Sequence, residues 1–132
     1  MKLLLDTHVW LWLQHAPERL GDALELVEDP ANDLLFSAAS SWEIAIKWAL
    51  GKLVLPEPPA SYVPDRVRSS GVVPLAVEHI HALAVGALPS HHRDPFDRLL
   101  VGQAVTEGAT LVTADPAFRP YDLEVVWTAA AH

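Results

Sequence analysis

The chain of 132 residues contains no cysteine, which removes disulfide bonds, thiolate metal sites and cysteine nucleophiles together. A metal ion held here must use oxygen or imidazole ligands. Long hydrophobic runs are also missing. Stretches such as Val9 to Leu13 break off well short of the roughly 20 residues that span a bilayer, so no membrane association is expected. Leu3 to Leu5 followed at once by Asp6 is too short an apolar stretch for a secretory signal, which leads to the expectation of a cytoplasmic protein. Basic residues are scarce, 9 Lys and Arg against 17 Asp and Glu, for a formal net charge of -8. That balance argues against a protein that grips nucleic acid mainly through a basic surface. What the chain does have is apolar residues, 51% of the total, too many for a disordered polymer. The length suits one domain spanning 1–132.

No repeat or low-complexity tract interrupts a pattern of alternating elements. Lys2 to Asp6 reads as a short apolar strand ending at a carboxylate, and Thr7 opens a helix reaching His15. Leu20, Leu24 and Val27 suggest a helix between Pro17 and Asp29, and Leu34 to Ser37 a buried strand. Trp42, Ala45, Ile46, Ala49, Leu50 and Leu53 follow the rhythm of one buried helical face, with Ser40 and Gly51 marking the ends. Leu55 to Pro74 holds five of the eleven prolines and reads as a lid-like loop with a short helix around Tyr62 to Arg68, before a strand at Val72 to Ala76. Ile80, Leu83, Ala84 and Ala87 mark a helix from Glu78 to Leu88. Asp94 and Pro95 open another, with Leu99, Leu100, Gln103 and Ala104 on its apolar face and Gly108 at its end. Ala109 to Thr113 and Leu123 to Trp127 are the last strands. Continuous apolar strands alternating with helices predict an α/β sandwich around a mostly parallel sheet.

In such a sheet the working site lies beyond the C-terminal strand ends, and the carboxylates fall there. Asp6 and Asp115 follow two strands, Asp94 and Asp97 lie at the mouth of one helix, and Glu43 lies early in another. Like charges gathered in this way call for protonation or a divalent cation, with Lys47, Arg93 and Arg98 as local counter-charges. Oxygen ligands without cysteine suit Mg²⁺ or Mn²⁺, and the chemistry that fits is phosphodiester cleavage.

Structural roles compete for each acid. Glu43 stands three residues after Ser40, the spacing of a capping box. Asp94 suits an N-cap, Asp97 a first helical turn, and Asp115 before Pro116 a turn. Asp6 is hardest to explain structurally, because a carboxylate on an apolar central strand is costly to bury without a partner. His91 and His92 read as a solvated loop, and His79 and His81 lack the spacing of a zinc pair. Trp10 and Trp12, with Val9 and Leu13, make one helix apolar on most faces, which suggests burial against a second copy.

Four stretches carry a resemblance: Leu3 to Trp12 (LLLDTHVWLW), Ser40 to Leu53 (SSWEIAIKWALGKL), Arg93 to Ala104 (RDPFDRLLVGQA) and Thr110 to Asp115 (TLVTAD). In this order and spacing the sequence resembles a PIN-domain protein of the VapC type, the ribonuclease toxins of toxin-antitoxin pairs, nearly end to end. The resemblance implies a PIN-like three-layer α/β/α sandwich and an Mg²⁺- or Mn²⁺-dependent endoribonuclease. It implies a catalytic metal pocket of Asp6, Glu43, Asp97 and Asp115, with Asp94 auxiliary and Glu43 both capping its helix and facing the pocket. Arg93, Arg98 and Lys47 are candidates for holding the RNA backbone. The implied partners are an RNA substrate and a cognate antitoxin, besides the homodimer. Two other readings stay open: a phosphatase using Asp6 as nucleophile, disfavoured because His8 stands where a second Asp is needed, and a non-catalytic acidic domain that binds metal or a phosphoryl group.

Overall fold

The computed structural model describes residues 1–91 and 93–128; His92 lies outside the described residues. Among these, five strands form one sheet, β1 (Lys2–Leu5), β2 (Asp33–Ser37), β3 (Val73–Leu75), β4 (Thr110–Thr113) and β5 (Val125–Trp127), in the order β3-β2-β1-β4-β5. Every neighbouring pair is parallel. The helices are α1 (Thr7–His15), α2 (Ala23–Glu28), α3 (Ala38–Ala49), α4 (Pro59–Ser70), α5 (His79–Ala84) and α6 (Pro95–Glu107).

Alternation along β1 divides two cores. Leu3 and Leu5 join Val9, Trp10, Val27, Phe36 and Tyr62 on one face, whereas Leu4 joins Leu35, Leu100, Val101, Ala104 and Leu111 on the other. A sheet covered on both faces needs continuous apolar strands, and that accounts for the Leu-rich run of β1. The three-layer α/β architecture is the expected one.

Local details differ from expectation for identifiable reasons. The helix expected between Pro17 and Asp29 is split by Gly21 at φ 57° into a 3₁₀ turn (Pro17–Leu20) and α2, a backbone conformation that glycine adopts without strain. The short helix expected around Tyr62 to Arg68 is present and longer, the twelve residues of α4 with Pro59 at its start and Pro64 inside it. Trp10 stacks on Phe36 at 4.2 Å between ring centroids and is buried in the protein's own core. Trp12 carries Arg19 over its ring. The tryptophans of α1 therefore give no reason to invoke a second copy.

The largest departure is the orientation of α3. The stripe expected to be buried faces outward: Trp42 is 58% and Leu50 62% exposed, and Ala45, Ile46 and Ala49 are exposed too. Only Leu53 of that series packs against the core, in part. The inward residues are Ala39, Ser40, Glu43 and Ile44. The same inversion occurs in α5, where Ile80 and Leu83 are exposed while His81 is fully buried.

Candidate active site

The sheet order reverses direction at β1, so the switch point lies between β1 and β4, where ligands of open α/β sheets bind. Asp6 stands there as the N-cap of α1. Its Oδ1 accepts the Thr7 N–H at 2.7 Å, and its Oδ2 accepts the Thr113 hydroxyl at 2.7 Å from the end of β4. Its backbone N–H donates to Val112 O. The carboxylate is buried at 5% exposure. Burial raises its pKa, with a further rise from Glu43, against the opposing effects of the Thr113 bond, His8 and the Thr7 N–H.

Glu43 is buried on the inward face of α3 and its Oε2 takes the Lys47 ammonium at 2.7 Å. It caps nothing. The cap of α3 is Ser37, whose Oγ accepts the Ala39 N–H, and Ser40 lies inside the helix, accepting the Thr7 hydroxyl at 2.8 Å. The helix begins earlier than Ser40 implied, so the Ser40–Glu43 spacing describes two inward neighbours instead of a capping box. Burial opposes the Lys47 charge, but the Glu43 hydrogen bond and charge, with those of Asp94 and Asp97, hold its pKa above the usual lysine value.

Asp97 sits in the first turn of α6, where the helix dipole favours a carboxylate. Its pKa is nevertheless pushed from 3.8 to about 8, first by burial and then by the charges of Asp6, Asp94, Asp115 and Glu43. The other four sequence-predicted acids therefore all lie near enough to act on Asp97 by their charge. Asp94 is exposed and caps α6, with Oδ1 accepting the Phe96 and Asp97 N–H groups. Asp115, two residues beyond β4, is exposed and caps a 3₁₀ turn by accepting the Ala117 N–H. Thr113, which sequence reasoning did not single out, ties Asp6 to β4 and also receives the Asp115 N–H; the TLVTAD stretch was the available signal.

Among the described residues no three acidic or histidine side chains are gathered to hold a metal ion, so the expected four-carboxylate shell is not preformed. The donor set nonetheless fits Mg²⁺ or Mn²⁺ in kind. Such ions keep several waters and need only one or two carboxylates, and a carboxylate cluster that raises Asp97 to about 8 favours any positive species that enters it.

The three candidate cations differ. Arg98 donates to Pro89 O at 2.8 Å, to the Tyr121 hydroxyl and to Val85 O; it clamps the segment between α5 and α6, and those donors are committed. Lys47 is committed to Glu43 in part, with a side chain still 37% exposed. Arg93 is exposed and lines an open hollow with Ser90, His91 and Arg98.

The family model of the PIN domain matches residues 3–123. The chain is 32% identical over 122 residues to ribonuclease VapC22 of Mycobacterium tuberculosis, covering 90% of this chain and 91% of that one. It is 53% identical over 66 residues to ribonuclease VapC16 of the same organism, a match spanning 50% of this chain and 47% of the relative's length. Among solved structures, VapBC2 from Rickettsia felis bound to a promoter DNA fragment superposes with a TM-score of 0.73 at 20% identity, covering 97% of this chain and 99% of that one. DNA-bound VapBC from Salmonella typhimurium gives 0.68 at 18% identity, with 96% and 97% covered. These two structures share the fold.

Proposed function

The chain belongs to the PIN-domain family, and from that premise we propose that it is an Mg²⁺- or Mn²⁺-dependent endoribonuclease, the toxin of a toxin-antitoxin pair. The observation that carries the reading is Asp97, held near a pKa of about 8 by burial and four neighbouring carboxylates. A carboxylate raised in this way favours a positive species beside it, and a cation bound there would release the proton Asp97 otherwise takes up. Asp6 and Asp97 would hold the ion, with Glu43 and Asp115 adding negative charge around it and Asp94 fixing the start of α6. A bound divalent ion supplies an activated water and offsets charge on the leaving oxygen. Thr113 and the Thr7 N–H keep the Asp6 carboxylate in one orientation. Arg93, and Lys47 when it turns from Glu43, offer positive charge to the RNA backbone.

The relatives' names support RNA as substrate, and the VapBC structures support an antitoxin partner. We read residues 1–132 as one such domain, acting in the cytoplasm; no helix among the described residues is long and apolar enough to cross a membrane. A homodimer stays part of the proposal, on a surface other than the tryptophans of α1.

The test is cleavage of a mixed RNA pool by purified, antitoxin-free protein in EDTA, Mg²⁺ or Mn²⁺, beside Asp6→Asn and Asp97→Asn. Metal-dependent cutting is expected to fall on the order of 10³-fold in both variants, with circular dichroism unchanged. A folded, metal-loaded protein that cuts nothing overturns the reading in favour of an acidic binding domain.

A further inference from the structure

Trp42 and Phe96 occupy matching places in the two helices that bring acids to the site. Trp42 immediately precedes Glu43 in α3, and Phe96 immediately precedes Asp97 in α6. Their rings meet edge to face, 5.0 Å between centroids and 72° between planes. Phe96 is half-buried and its backbone N–H is held by the Asp94 carboxylate, so the support under Trp42 is fixed by the capped start of α6. Trp42 itself is 58% exposed. A large aromatic ring, propped by a second one and left in solvent one residue from a buried acid, costs hydrophobic free energy unless something covers it.

The surrounding charge narrows the choice of what covers it. An RNA strand approaching a protein of net charge -8 and a cluster of five carboxylates is repelled. Of its three candidate cations, one is committed to loop carbonyls and one shares its charge with Glu43. Stacking on an aromatic face needs no positive charge and is indifferent to base identity, and unpaired bases are what single-stranded RNA offers to exposed rings.

Resting on the ribonuclease reading, we propose that Trp42, propped by Phe96, is a stacking platform for an unpaired nucleobase of the RNA, seating the strand beside the acid cluster. The rival occupant is a second copy of the chain, because the outward stripe continues through Ile46 to Leu50.

The experiment measures binding of a fluorescent single-stranded RNA pool in Mg²⁺ to Asp97→Asn protein, expected to bind without cutting, alone and combined with Trp42→Ala or Trp42→Phe. Loss of one stacked base predicts about 5- to 150-fold weaker binding for Trp42→Ala, with Trp42→Phe retaining most of the affinity. The dependence of affinity on salt should keep its slope, because no phosphate contact is removed. Unchanged affinity in Trp42→Ala overturns the proposal while the ribonuclease reading survives. A Trp42→Ala protein that sediments as a smaller species than its parent, with affinity per protomer unchanged, assigns the ring to a second copy. Failure of the parent to bind RNA, with no cutting by the native chain, overturns both readings.

Discussion

Two buried polar clusters sit in this fold, and they are built on opposite principles. In the first, Ser37 donates to Gln103 Oε1, Gln103 Nε2 donates to Ala76 O, and His81 Nε2 meets Glu107 Oε2 at 2.8 Å while its Nδ1 accepts the Glu78 N–H. Donors face acceptors throughout. The bonds run from the cap of α3 through α6 to α5 and lock those three elements together. In the second, Asp6, Glu43 and Asp97 are buried together, and burial first, with neighbouring carboxylates after it, raises Asp6 and Asp97. A satisfied network specifies structure, whereas a cluster with carboxylates in excess of its one paired ammonium stores a demand for a cation or a proton. Burial alone does not separate them, since Gln103 and Asp6 are both buried. The complementarity of the groups does.

The comparison breaks most severely at Gln103. Gln103→Leu leaves the Ser37 hydroxyl without its acceptor and the Ala76 carbonyl without its donor, and should cost about 3 kcal/mol, read from urea denaturation. If the clusters differ as argued, metal-free Asp97→Asn should instead match or exceed the parent in stability at pH 8, since it removes a repelling charge.

The pH dependence sharpens the same contrast. Asp97 titrates near 3.8 when unfolded and at about 8 when folded. Between these values the native state binds more protons, so in EDTA this group makes stability fall as pH rises from about 4 to 8. Asp97→Asn should flatten that slope, and Mg²⁺ should restore stability to the parent at the alkaline end by binding the folded state. Thermal melts across this range with and without Mg²⁺ measure both effects; an unchanged slope in the variant would remove Asp97 as the source.

The smallest effect expected is at Gly102, where α6 meets α5. A Cβ there would lie 3.0 Å from the His81 carbonyl oxygen and 3.3 Å from Val85 Cγ2. Gly102→Ala gains up to about 1 kcal/mol of helix propensity. The backbone contact should outweigh this, for a net loss of about 1 kcal/mol of unfolding free energy, read as a lower denaturation midpoint.

Much of this organisation was legible in the residues themselves. The Leu run of β1, the Asp94–Pro95 opening of α6 and its Gly108 close place those elements where they stand, because caps and continuous apolar strands have direct local causes. The convergence of acids followed from strand ends in a parallel sheet. The faces of α3 and α5 were not legible, and for one reason. Hydropathy turns the apolar side of a helix inward, but the inward side of α3 carries Ser40 and Glu43 for the site, and that of α5 carries His81 for the polar network. Periodicity finds a stripe without saying which way it points. The commitment of Arg98 to Pro89, Val85 and Tyr121 was likewise hidden, since those groups come together only once the segment between α5 and α6 is folded onto the protein.

The hydrogen bond from Thr113 to Asp6 spans 107 positions of chain, which has a bearing on the order of events during synthesis. Asp6 and α1 leave the ribosome early, and β2 can follow by its crossover, but β4 and its threonine emerge only after α6 is complete. At the usual pace of roughly 5–20 residues per second, several seconds separate the first acid from the partner that orients it. Until β4 is made, the Asp6 carboxylate lacks the hydroxyl that orients it. The acid cluster is therefore complete only when little of the described chain remains to be made.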